Sequence, residues 1–122
     1  MQLDGIRIYV WPETFAVVKS KRVIPDAFAV VQDRNEITVI IDQTRVNDKD
    51  IIEIEKDWKL ITFDTVLPFD TVGFLAAITN ALAEEGISVF VISSYSTDHI
   101  LVKKENLEKA LEKLEGMGFE VG

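Results

Sequence analysis

Cysteine is absent from this 122-residue chain. Disulfides, thiolate nucleophiles and Cys-based zinc sites are therefore excluded. Histidine occurs once, at His99, and the six glycines are scattered, so no metal-ligand spacing, Ser-His-Asp order or Gly-rich phosphate loop can be assembled. Carboxylates are abundant, but any acid-base pair drawn from so many would be arbitrary. The chain is expected not to be an enzyme and to need no cofactor or metal. Basic residues are also scarce: 13 Lys and Arg stand against 21 Asp and Glu, for a net charge of −8. Only Lys19, Lys21 and Arg22 form a dense cluster. That balance argues against a nucleic-acid partner, and the surplus acid reads as solubility. No apolar run approaches the ~20 residues of a membrane span. The opening MQLDGIRIYV lacks the basic start and apolar core of a signal peptide. A soluble cytoplasmic protein with no membrane partner is expected.

What remains is apolar content, 48% of the residues, enough to bury a core in one compact unit or in two small ones sharing it. The stretch from Val66 to Val102 organises the rest. Leu75, Ile78 and Leu82 recur at helical spacing, Asp70 or Thr71 can cap that helix, and Gly86 sits where a left-handed C-cap belongs. From Ile87 to Ile92 nearly every residue is apolar, which predicts a strand in mid-sheet, covered on both faces. Before this stretch, Ile6, Ile8 and Val10 alternate with polar neighbours, and Phe15 to Val18 resume after Trp11-Pro12-Glu13-Thr14, predicting two strands around a bend. Phe28 to Val31 and Glu36 to Asp42 predict a hairpin turned by Asp33-Arg34-Asn35. The charged segment from Gln43 to Asp57 fits either a short helix or an extended cover. Trp58 to Asp64 predicts a strand. Lys104 to Glu115 predicts an amphipathic helix with a Glu105–Lys109 pair, followed by an edge strand from Phe119 to Val121.

Residues 57–122 thus spell strand, helix, strand, strand, helix and a last strand, the split βαβ order of an α+β sandwich. Residues 5–56 read as a worn copy of that unit. The stretch Leu67-Pro68-Phe69-Asp70-Thr71-Val72-Gly73-Phe74-Leu75, then Ala83 to Ile92 and the turn Ser93-Ser94-Tyr95-Ser96-Thr97-Asp98 before His99 to Val102, resembles the ACT domain. More narrowly, it is similar to the small bacterial and archaeal tandem-ACT proteins related to the animal cytosolic arginine sensor and to aspartate kinase regulatory domains. The resemblance is dense over about 66–118 and weaker over 1–56. It implies a ferredoxin-like βαββαβ fold in two tandem ACT-like units, a degenerate one at 1–56 and an ACT domain at 57–122. It also implies an amino-acid-binding regulatory module whose ligand lies at an interface between modules or subunits of a homodimer.

On that resemblance, Gly73, Phe74, Leu75, Ser94, Tyr95 and Asp98 lie near the ligand. Elementary chemistry supplies a rationale, because an amino acid needs N–H donors for its carboxylate and acceptor oxygens for its ammonium. The start of the helix after Asp70 and Thr71 offers unpaired N–H groups. Gly73 either lets a ligand approach that backbone or relieves helix packing. Asp98 either meets an ammonium or stabilises the turn. The loop from Pro68 to Thr71 offers Asp70 and no Glu, a departure from the arginine-sensing pattern. The alternative from another class is a ligand-free interaction protein, or regulatory subunit of an amino-acid-metabolism enzyme, gripping its partner by the Trp11 hairpin or a sheet edge.

Overall fold

The computed structural model describes residues 3–65 and 73–122. In chain order the elements are β1 (Arg7–Val10), β2 (Phe15–Ser20), β3 (Ala29–Gln32), β4 (Ile37–Asp42), β5 (Ile51–Asp64), α1 (Phe74–Glu84), β6 (Val89–Ser93), β7 (Asp98–Lys103), α2 (Leu107–Gly116) and β8 (Glu120–Val121). They fall into two compact units, one of Met1–Pro12 with Lys59–Gly122 and one of Glu13–Trp58. The sequence reading counts the first strand with residues 1–56. In the structure that strand belongs to the sheet of the larger unit.

Alternation explains the larger unit. Ile61 and Phe63 of β5, Ile8 of β1, and Ile100 and Val102 of β7 all face the buried sides of the helices, where they meet Phe74, Ile78 and Leu82 of α1 and Ala110 and Leu114 of α2. Burying each large side chain contributes roughly 1.5–3 kcal/mol. The strand order is β6, β7, β5, β1, β8, with both helices on one face, the expected ferredoxin-like α+β sandwich. One strand has an unexpected source. β1 pairs antiparallel with β5, from Arg7 opposite Asp64 to Val10 opposite Ile61, in the place a βαββαβ chain gives its last strand. The two-residue β8 adds outside it, parallel to β1.

Both helices end in the same device. Gly86 and Gly118 have φ of +72° and +106°. The amides of Ile87 and Phe119 reach back to the carbonyls of Leu82 and Leu114, at 3.0 and 3.2 Å, and those four side chains join the core. Lys109 does not follow the expected pairing with Glu105. Its ammonium donates to the Glu85 carbonyl at 2.8 Å, where it satisfies the C-terminal end of α1. The second helix also starts later than its periodicity suggests, after a 3-10 turn at Lys104–Asn106.

The apolar run from Ile87 to Ile92 is not a covered central strand. Among the described residues β6 pairs only with β7, and Phe90 and Val91 are 40% and 41% exposed. The strand buried on both faces is β7, with His99, Ile100, Leu101 and Val102 all inside. A run of apolar residues reports that both faces avoid water, not which neighbours cover them, so an edge with an unpartnered face reads like a central strand.

The smaller unit is a β-meander without a helix. β3, β4, β2 and residues 51–58 of β5 lie in that order, and Ala16, Val18, Val39 and Ile41 form its core. The predicted hairpin is present: the Asp33 carboxylate accepts from the amides of Asn35 and Glu36 at 2.8 and 2.9 Å. The undecided segment after Gln43 resolves into two 3-10 turns and then the start of β5, which begins at Ile51 and not at Trp58. Opposite Ala16 the ladder slips by one residue, from Phe15 against Trp58 to Val17 against Glu55. Asp57 absorbs the slip at φ +67°, a left-handed conformation that costs a side-chain-bearing residue about 1–2 kcal/mol. Gln43 holds it there, accepting from the Asp57 amide at 2.8 Å and donating to its carboxylate at 3.1 Å. Asp57→Val is expected to lower unfolding free energy by about 2 kcal/mol in urea denaturation, whereas Asp57→Gly, which tolerates the conformation, should stay within about 1 kcal/mol of the parent.

Candidate functional site

The site predicted from sequence lies at one end of the larger unit. Val89 pairs with Val102 at one end of the β6–β7 hairpin and Ser93 with Asp98 at the other. Because α1 ends at the Val89 side, its 11 residues, about 16 Å of helix, bring its beginning back toward the turn between Ser93 and Asp98. Asp70 and Thr71 lie outside the described residues. The residue preceding α1 is Gly73, at φ +86°, and not Asp70 or Thr71 as the capping pattern suggests. Among the described residues no side chain caps the helix. A left-handed residue there is open to glycine, which also keeps the first-turn amides clear of any Cβ.

The other predicted residues divide by what they touch. Phe74 is 3% exposed, and its ring packs edge-on against Phe63 and Phe119, so only its backbone is available to a ligand. Leu75 is partly buried against the same core. Ser94 closes the turn, its amide and hydroxyl donating to the Thr97 carbonyl at 2.9 and 3.0 Å. Asp98 accepts from the Ser93 hydroxyl at 2.6 Å, which makes it part of the turn's own bonding. Tyr95, at the tip, is 83% exposed.

A part-buried polar chain on the sheet face away from the helices was not singled out from sequence. The Trp11 indole N–H donates to Thr62 Oγ1 at 2.7 Å, and Thr62 Oγ1 lies 2.8 Å from His99 Nδ1. Tyr9 packs edge-on against Trp11. The signal was the alternation that puts Thr62 opposite Ile61 and Phe63, but it cannot say that β7 will deliver a histidine alongside. Trp11 can only donate, so Thr62 Oγ1 accepts from it and keeps a second lone pair and a proton, either of which can meet His99 Nδ1 according to the tautomer of the ring. Burial lowers the His99 pKa below its ordinary 6.5, with Asp98 pulling weakly the other way. Among the described residues no group of three or more His, Cys, Asp or Glu could hold a metal, and no helix is long and apolar enough to cross a membrane.

The unfolded chain takes up the His99 proton first as pH falls. Its contribution to stability is thus complete above about pH 6.5 and is lost as pH drops through the folded value. Asp33 and Asp42, whose pKa values are lowered by backbone N–H bonds, act only near and below their ordinary 3.8. Urea midpoints measured from pH 7.5 to 5 are expected to fall in the parent and to fall less in His99→Gln.

A family model described as the ACT domain matches residues 53–116, just over half of the chain. A search of the curated proteins found no match. Among solved structures, a protein from Agrobacterium tumefaciens superposes with a TM-score of 0.83 at 21% identity, covering 96% of this chain and 92% of that one. A protein of unknown function from Vibrio cholerae gives 0.76 at 24% identity, with coverage of 95% and 92%. The regulatory subunit of aspartate kinase from Thermus thermophilus gives 0.64 at 10% identity, with coverage of 90% and 95%. At these identities the likeness is one of fold, and it extends through both units. Together with the matched stretch, which runs from β5 through α2, it leads to one assignment: the chain belongs to the ACT domain family.

Proposed function

We propose that this chain is a non-catalytic, cytoplasmic regulatory module that senses an amino acid at a subunit interface, the smaller unit being a reduced second ACT copy. The reading is supported by the left-handed Gly73 before α1, with no capping side chain among the described residues, and by chain order, which runs α1 and β6 in opposite senses so that the helix start lies toward the Ser94–Asp98 turn. Helix-terminal amides favour a carboxylate by roughly 0.3–1 kcal/mol. A micromolar site needs about 8 kcal/mol, so a desolvated pocket must supply most of it. A second copy is the proposed source of that pocket. Beside β6 runs a groove of about 760 Å³ lined by Ala76, Asn80, Ala83, Ile87 and Val89, and Phe90, Val91 and Tyr95 are exposed nearby in sequence. In a homodimer joined along β6, the ligand would bridge Asp70, Thr71, Gly73 and the Phe74 and Leu75 backbone of one subunit to Ser94, Tyr95 and Asp98 of the other.

A second reading is supported by the Ser93–Asp98 bond, which occupies Asp98 without any ligand. In it the fold is retained as a ligand-free interaction module or as the regulatory subunit of an amino-acid-metabolism enzyme. Thermal-shift titration against the twenty amino acids separates the two. The sensing reading expects one amino acid to raise Tm progressively, reaching about 2.7 kcal/mol of added stability at a hundredfold excess over Kd. No shift with any of the twenty, from a protein that sediments as a dimer, favours the second reading. With a hit in hand, Asp98→Asn is expected to weaken binding at least about tenfold with little change in Tm. A fall in Tm with unchanged affinity would return Asp98 to the turn.

A further inference from the structure

In a chain of net charge −8, three of the seven basic residues of the smaller unit, Lys19, Lys21 and Arg34, line one cleft. A cleft of about 280 Å³ lies between the end of β2 and the β3–β4 hairpin. Lys19, Lys21, Arg34 and Asn35 line it together with the aliphatic Ile37 and the exposed Ile52. Two acids line it as well, and both are engaged. The Asp33 carboxylate is taken by the amides of Asn35 and Glu36, which lower its pKa. Glu36 stands 3.9 Å from Lys19, which also lies opposite Glu53 across the β2–β5 ladder. Arg22, next in sequence, is consumed by Asp50 at 2.8 Å. Lys21 and Arg34 are left: both are exposed, and among the described residues neither side chain has an ion-pair partner.

Both walls are held by bonds that do not involve these two cations. Behind Lys21, the buried Asp50 accepts the Lys21 amide on its carbonyl at 2.8 Å and the Arg22 guanidinium on its carboxylate. Under Arg34, the Asp33 bonds and the 3.1 Å bond from the Asp33 amide to the Glu36 carbonyl fix the turn. Solvated surface lysines are ordinarily scattered among acids. Here two cations without an ion-pair partner among the described residues stand on hydrogen-bonded supports around one concavity, which Gln32 and Asn35 also line. We propose that this cleft is a binding site for a small oxyanion, of the size of inorganic phosphate or a short dicarboxylate. The volume is at the low end for ligand sites, too small for a nucleotide. Ile37 and Ile52 accommodate a short carbon chain between two anionic groups. The site is in a different unit from the proposed amino-acid site and stands independently of it.

The test is amide chemical-shift titration of the full chain with sodium phosphate and with sodium glutarate, each against sodium chloride at matched ionic strength. At least one of the two is expected to give saturable shifts at Lys21, Arg34 and Asn35 with millimolar or tighter affinity, a response chloride does not produce. Saturation by phosphate alone assigns a phosphoryl ligand, by glutarate alone a dicarboxylate, and by both a general oxyanion site. In the double variant Lys21→Gln with Arg34→Gln the affinity should fall at least about tenfold, with Tm unchanged because both side chains are exposed. Arg34→Gln alone serves if the double variant is unstable. Linear shifts with both anions, shifts matched by chloride, or affinity undiminished in the variants would overturn the proposal.

Discussion

Three phenyl rings meet at the centre of the larger unit, and the placement of the candidate site depends on them. Phe63 near the end of β5, Phe74 at the first position of α1 and Phe119 after α2 touch edge to face, with centroids 5.3 to 6.3 Å apart. Each such pair adds about 0.5–1.5 kcal/mol to the gain from burial. Their positional effect matters more. Phe74 has no freedom to move without opening the core, so Gly73 beside it is held at a fixed distance from the end of β5. An uncapped helix start is useful to a ligand only if it does not wander, and here it is anchored by packing and, among the described residues, not by a capping side chain.

The same economy governs the polar parts. Trp11, Thr62 and His99 bond to one another across β1, β5 and β7 in a part-buried polar chain. The turn from Ser93 to Asp98 is likewise closed on itself. A turn so stabilised presents Tyr95 and its own backbone outward. One bond from Ser93 leaves the Asp98 carboxylate with further acceptor positions.

Much of this architecture was readable from residue order. Helical spacing from Leu75 to Leu82, the stop at Gly86 and the Asp33 hairpin are local signals, and all three appear where the chain announces them. What escaped was long-range. Nothing near Arg7 states that β1 will pair with residues more than fifty positions away, and nothing in the run from Val89 to Ile92 tells an edge from a centre. The helix start was misplaced because Asp70 and Thr71 are good caps in isolation, whereas Phe74 is drawn by its aromatic partners to become the first helical residue. Asp57 gave no warning either, since a left-handed aspartate is visible only once the β2–β5 slip is known. Of the candidate site, the turn chemistry of Ser94 and Asp98 was readable, while the polar chain behind it depended on three strands meeting.

The parallel pairing of β8 with β1 has a consequence for biogenesis. Amides of Glu120 and Gly122 bond to the carbonyls of Ile6 and Ile8, both at 2.9 Å, so β1 is zipped to residues more than a hundred positions further along the chain. Closing a loop that long carries an entropic cost that grows only slowly with its length, but the closure cannot begin before α2 and β8 have been made. The Glu13–Trp58 meander, whose pairings are nearer in sequence, can form on the ribosome while Arg7–Val10 waits with its hydrogen-bonding edge open. Until β8 arrives, that edge of β1 is open to the addition of another strand.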